Sequence, residues 1–125
     1  MKISTWNVNS INARINHLEK FILKDQSDIY LLQELKTIEE GFPKEIIKKL
    51  GYFSYVNGQK AWNGVAILSK TKLEITNTSI PKFEDPNSRI IETEVKLKKI
   101  KKKIKLINIY LPNGNPCLLY TSPSP

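Results

Sequence analysis

A chain of 125 residues, 40% hydrophobic and 26% charged, is sized for one soluble domain and can bury a core without disulfides or a structural metal. Cys117 is the only cysteine, so no disulfide framework exists within the chain, and no long apolar run marks a signal peptide or membrane span, which makes the cytoplasm the expected compartment. Lys and Arg total 20 against 12 Asp and Glu, and a net charge of +8 attracts polyanions such as DNA or RNA, although the accompanying isoleucines and asparagines are also what AT-rich codon bias produces.

The elements follow in chain order. Lys2 to Val8 alternates, with Ile3, Thr5 and Asn7 on one face and Ser4, Trp6 and Val8 on the other, which predicts a strand. Ile11, Ile15, Leu18 and Ile22 form a helical stripe, with Asn9 or Ser10 placed to cap its start. Ile29-Tyr30-Leu31-Leu32 is a short continuous apolar run, expected for a strand buried on both faces, and it ends in the polar pair Gln33-Glu34. Pro43 opens a second short helix through Leu50, and Gly51 closes it. Tyr52 to Val56, Val65 to Leu68, Leu73 to Thr76, Ile90 to Leu97 and Ile104 to Ile109 read as strands separated by Gly, Asn, Pro and Lys turns. The run Lys98 to Lys103 reads first as a solvated hairpin turn and second as a phosphate contact. Strand, helix, strand, helix and then a run of strands predicts a mixed α/β layered fold with helices packed on a sheet.

Four segments place polar residues at strand ends or in turns. In Trp6-Asn7-Val8-Asn9, the Asn7 carboxamide can orient a carboxylate or a phosphate oxygen, or simply cap the following helix. In Leu31-Leu32-Gln33-Glu34-Leu35-Lys36, a carboxylate ending an apolar strand costs free energy unless paired or bound to metal. Glu34 therefore suits magnesium, which takes one or two carboxylates and keeps several waters, or a salt bridge to Lys36. In Gly58-Gln59-Lys60-Ala61-Trp62-Asn63-Gly64, a turn framed by two glycines can bring a cation, amides and backbone N–H groups to a phosphate, or be an ordinary hairpin with Trp62 over the core edge. In Asn108-Ile109-Tyr110-Leu111-Pro112-Asn113-Gly114, the Tyr110 hydroxyl can donate to a phosphate oxygen, or the ring can sit in the core with its tip in water.

Together and in this order, these segments and Arg89-Ile90-Ile91-Glu92 resemble the exonuclease III branch of the endonuclease/exonuclease/phosphatase superfamily, from Met1 to about Pro116. The resemblance implies that residues 1–116 are the N-terminal half of a four-layer α/β/β/α sandwich with mixed β-sheets. It implies magnesium-dependent phosphodiester hydrolysis, with manganese as a substitute, at abasic sites and 3′ ends of double-stranded DNA. It also implies a cytoplasmic, nucleoid-associated protein that meets no membrane and is monomeric when complete. Position by position, Glu34 matches a magnesium ligand, Asn7 an asparagine supporting the metal site and its chemistry, and Tyr110 the tyrosine on the scissile phosphate. Gln59, Lys60, Trp62 and Asn63 match a loop near the DNA backbone, and Arg89 a phosphate contact or a paired structural arginine.

The family's Asp-x-Asn and Ser-Asp-His segments, which supply a base, further metal ligands and a histidine, have no counterpart here, and His17 reads as an exposed helix residue. Cys117 to Pro125 departs from the family pattern and reads as an artefactual tail of adapter read-through. The expectation is an inactive, poorly soluble fragment whose first sheet lacks the second sheet it packs on. Two other functions compete: a catalytically dead nucleic-acid-binding relative, and a hydrolase of phospholipid or inositol phosphate head groups. The Gly-Gln-Lys and Tyr-Leu-Pro-Asn-Gly segments favour the DNA-repair branch over the latter.

Overall fold

The computed structural model describes residues 1–78, 87–97 and 101–111. Cys117 to Pro125, the Pro112-Asn113-Gly114 segment and Lys98 to Ile100 lie outside the described residues. The chain builds β1 (Ile3–Asn7), α1 (Ile15–Asp25), β2 (Ile29–Gln33), α2 (Lys44–Lys49), β3 (Phe53–Asn57), β4 (Val65–Ser69), β5 (Glu74–Asn77), β6 (Ile90–Leu97) and β7 (Lys102–Ile109). The fold is mixed α/β, as the alternation of patterns predicts.

One sheet has the order β1-β2-β4-β3, and the other β5-β6-β7. β1 and β2 are parallel, which requires the α1 crossover between them; every other pairing is antiparallel. The period of two divides the first sheet's side chains between two cores. Val8, Tyr30, Leu32, Ala66 and Leu68 pack under the helices with Leu18, Ile22 and Ile47. Ile29, Val65 and Ile67 face the second sheet and meet Ile91, Val95 and Tyr110. β2 is buried on both faces, which is why its sequence does not alternate.

Two expectations are corrected here. The first sheet does not lack its partner, because β6 and β7 of the same chain cover β2, β3 and β4. The apolar surface left open lies elsewhere: Ile3 on the uncovered face of β1, and Ile107 and Ile109 on the outer face of β7, each 44 to 46% exposed. The first helix is not capped by Asn9 or Ser10. It starts at Ile15 after Arg14, without a side-chain cap. Ser10 and Ile11 donate instead to the carbonyls of Glu34 and Leu35, at 2.8 and 3.1 Å, which staples this stretch beside the extension of β2 and delays the helix.

The remaining boundaries shift by a residue or two. Pro43 precedes α2, and Gly51, at φ +94°, closes it by donating to Lys48 O. Of the lysine run, Lys101 lies in a turn. Lys102 and Lys103 belong to β7, where Lys103 faces Glu94 at 3.8 Å and Lys105 faces Glu92 at 4.0 Å across exposed strands. His17 is exposed on α1, as expected. Among the described residues, no helix is long and apolar enough to cross a membrane.

At the end of the first sheet that starts β1 and β2, a carboxylate ties three elements together. Asp25 accepts from Lys2 Nζ at 2.6 Å, from Tyr30 Oη at 3.0 Å, from Ser4 Oγ at 3.2 Å and from the Ser27 hydroxyl. The Lys2 ammonium first, and the Ser27 hydroxyl next, hold its carboxyl well below the usual carboxylate range against the opposing pull of burial. A carboxyl depressed in the folded state stabilises the fold above its unfolded pKa of about 3.9 and loses that contribution as the pH falls through the folded value. The urea midpoint of the chain, followed by circular dichroism, should therefore be level above about pH 5 and fall below about pH 4. Asp25→Asn should lower the plateau and flatten the acid slope; an unchanged slope would remove Asp25 as its source.

Candidate active site

The parallel and antiparallel registers bring six strand ends to one edge of the sandwich. Asn7 pairs with Gln33, Gln33 with Val65, and Val65 with Asn57; in the other sheet Ile90 pairs with Ile109. These strand ends and the segments beside them carry every site residue expected from the sequence. One backbone bond joins the sheets here, Gly64 N donating to Ser88 O at 2.8 Å, while Tyr110 N extends the β6–β7 ladder by donating to Arg89 O at 2.7 Å.

Glu34 takes φ +55°, a left-handed conformation that costs a non-glycine residue about 1–2 kcal/mol. It is held there from both sides, because its carbonyl accepts from Ser10 N and the next residue, Leu35, donates to Gly64 O at 3.1 Å. The turn breaks the alternation of β2 and lets the carboxylate meet the second sheet. Tyr110 Oη donates to Glu34 Oε1 at 2.5 Å, a contact 76 residues apart in sequence. The other carboxylate oxygen lies 3.7 Å from Lys36 Nζ. Lys36 also donates to Asn9 Oδ1 at 2.7 Å, so the ion pair expected as one reading of Glu34 coexists with the tyrosine contact.

Burial first, then the bond to Glu34 and its negative charge, push the Tyr110 phenol up to about 12, with the positive charge of Arg89 partly opposing the shift. Tyr110 is therefore a protonated donor at neutral pH. Arg89 also reaches Asn63, Nε to Oδ1 at 3.5 Å. Asn7 lies one strand away from Glu34 and is exposed, with its Oδ1 accepting from Asn9 N at 3.1 Å. That bond tightens the turn after β1 rather than capping α1, and among the described residues no hydrogen bond joins Asn7 to Glu34.

The loop between β3 and β4 divides into braced and projecting residues. Gln59 Oε1 accepts from Asn63 Nδ2 at 3.1 Å and from Ser88 N at 2.9 Å, and Gln59 Nε2 donates to Asn87 Oδ1 at 3.1 Å. Ser88 Oγ donates to Gly58 O at 2.9 Å. Gln59 and Asn63 thus spend their amides on holding the loop against the start of β6. Lys60 is exposed and Trp62 is 70% exposed, so cation and indole both stand in solvent. Asn87, Ser88 and Asn108 take part in this edge although sequence patterns do not point to them; their one signal is adjacency to Arg89 and Tyr110.

Among the described residues there is no group of three or more His, Cys, Asp or Glu, so nothing here suits a soft or tetrahedral metal. A single strand-end carboxylate, with one oxygen held by a phenol and the other free of a short ion pair, fits a hard cation that keeps most of its waters.

A sequence profile of the Endonuclease/Exonuclease/phosphatase family matches residues 4–120. Exodeoxyribonuclease III of Haemophilus influenzae is 40% identical over 119 residues, covering 91% of this chain and 42% of that protein. The 3′ phosphatase NExo from Neisseria, solved bound to a product DNA hairpin, superposes with a TM-score of 0.79 at 35% identity over 88% of this chain and 41% of its own. An AP endonuclease from Archaeoglobus fulgidus gives 0.74 at 33% identity over 90% and 41%. The chain thus spans less than half the length of each. With two sheets face to face, helices outside the first and the polar strand ends gathered at one edge, the chain belongs to the endonuclease/exonuclease/phosphatase family.

Proposed function

We propose that this chain, residues 1–116 above all, is the N-terminal part of a magnesium-dependent DNA-repair nuclease that hydrolyses phosphodiesters at abasic sites and 3′ ends of duplex DNA. The observation that carries the reading is the meeting of Glu34 and Tyr110 from opposite sheets, with Arg89 beside them, at the edge where the loops gather. The relatives named above, an exodeoxyribonuclease III, a DNA-bound 3′ phosphatase and an AP endonuclease, support the choice of DNA over other phosphodiesters.

In this reading Glu34 holds magnesium, or manganese in its place, with Asn7 supporting the site from the neighbouring strand. A divalent cation bound there supplies charge neutralisation for the phosphoryl and leaving oxygens. Tyr110, protonated at neutral pH, donates to a phosphate oxygen, and Arg89 adds a fixed positive charge. Gln59 and Asn63 keep the loop shaped, so that Lys60 and Trp62 meet the DNA backbone. The deciding assay supplies magnesium and abasic duplex, intact duplex or phosphoinositide to a polypeptide that carries this chain within a domain of its relatives' full length. Nicking of the abasic duplex that a chelator abolishes is expected. Duplex binding without any cleavage would replace the reading with a binding protein, and phosphoinositide hydrolysis alone with a lipid hydrolase.

The loop residues separate by salt dependence. A lysine that neutralises one phosphate contributes about 0.9 to the slope of log affinity against log salt. Lys60→Ala should lower that slope by about one, whereas Trp62→Ala should weaken duplex binding with the slope unchanged. Anisotropy of a labelled duplex, titrated at several potassium chloride concentrations, reads both. Equal slopes for native and Lys60→Ala would take Lys60 off the phosphate.

A further inference from the structure

The two cores differ in how they fix position. Ile29, Val65, Ile67, Ile91 and Val95 join the sheets through contacts that have no preferred direction. Near the active-site edge the joint becomes polar. Asn108, on the inner face of β7, is 2% exposed. A buried carboxamide is costly unless every donor and acceptor is used, and here they are. Nδ2 donates to Leu32 O at 2.9 Å and to Ala66 O at 2.8 Å, while Oδ1 accepts from Gln33 Nε2 at 2.8 Å. Leu32 and Ala66 are register partners, so one amide pins β7 to β2 and β4 at a single rung. The second proton of Gln33 Nε2 is shared between Thr5 Oγ1 at 2.9 Å and Leu31 O at 3.1 Å, and the first of these brings β1 into the same network.

Both ends of this network abut the site. Tyr110 follows Asn108 by two residues on the same face of the chain, and Glu34 follows Gln33 directly. We infer that Asn108, acting through Gln33 and the Leu32–Ala66 rung, is a positioning residue that sets the approach of Tyr110 to Glu34 across the two sheets. Apolar contacts without direction resist a small displacement only weakly, whereas about 1 Å of movement along any of the three Asn108 bonds, at 2.8 to 2.9 Å, would take it beyond hydrogen-bonding distance, and misplacement on the order of 1 Å costs an active site about 10²-fold in rate. The inference rests on the reading of Glu34 and Tyr110 as site residues, but its test does not require catalysis.

The test is a double-mutant cycle on the full 125-residue chain. Tyr110→Phe, Glu34→Ala and their combination are compared by urea unfolding, first in the native background and then with Gln33→Leu. Contacting residues couple, and the expected native coupling is about 3- to 10-fold in the folding equilibrium constant. With Gln33→Leu it should fall to within about twofold of additivity. Asn108→Leu should do the same. Because that change also strips two buried carbonyls of a partner and endangers folding, the partly buried Gln33 provides the decisive arm. A Gln33→Leu chain that loses stability but keeps the full Tyr110–Glu34 coupling would reduce the network to a structural brace and overturn the inference. So would a native cycle without coupling. Absence of nuclease activity would sink the functional proposal and leave this result standing.

Discussion

Glu34→Gln should lower magnesium-dependent cleavage of abasic duplex by about 10²- to 10³-fold, the range typical for removing one preorganised charge-stabilising group from an active site. The substitution preserves side-chain size and an oxygen able to accept from Tyr110 Oη, so the 2.5 Å contact has a neutral substitute and the fold is expected to survive. What disappears is the negative charge that a divalent cation requires and that Lys36 faces at 3.7 Å. Duplex affinity should therefore hold or rise slightly, since one repulsive charge near the phosphates is gone. The midpoint of the magnesium titration should move upward. Single-turnover cleavage and duplex anisotropy, measured on the same full-length polypeptide, separate the two effects. Cleavage within threefold of native would remove Glu34 from the chemistry, and an equal loss of binding and cleavage would make it a DNA contact instead.

The sequence made Glu34 visible because an apolar run ended abruptly in a charge, and such a charge needs a partner. It did not make the partner visible. Tyr110 lies 76 residues away on another sheet, and only the packing of β7 over β2 and β4 brings them together. The strands were legible where burial was continuous or alternating: β6 spans Ile90–Leu97 as its pattern predicts. β7 starts two residues before its pattern predicts, since Lys102 and Lys103 have poor strand character, yet pairing with Leu97 and Lys96 carries them into the ladder. The first helix starts later than its stripe predicts, at Ile15, for a related reason. Ile11 fits the helical stripe and is fully buried, but its N–H is taken by Leu35 O, a long-range bond that no local pattern announces. Gln59 and Asn63 carried the right chemistry for a phosphate, and the fold spends it on the loop itself.

The same long-range logic makes one small residue decisive. Gly64 takes φ +93°, and a Cβ built on it would lie 2.9 Å from Leu35 Cβ, on a residue that is itself fully buried. Its N–H reaches Ser88 and its carbonyl holds Leu35, so it cannot move without loosening both sheets. Gly51 has nearly the same backbone, φ +94°, with nothing within 4 Å of its Cβ position. Gly51→Ala therefore carries only the left-handed backbone cost, about 1 kcal/mol. Gly64→Ala adds overpacking of about 1–3 kcal/mol against a core that cannot yield. At about 4 °C per kcal/mol for a domain of this size, the melting temperature should fall by about 4 °C in the first variant and about 10 °C in the second. Calorimetry on both variants decides the matter. Equal losses would mean that Leu35 gives way, and the turn that presents Glu34 would then be softer than its hydrogen bonds indicate. A larger loss at Gly64 means that the turn is rigid because the core beneath it is full, and the left-handed strain at Glu34 is sustained by that packing.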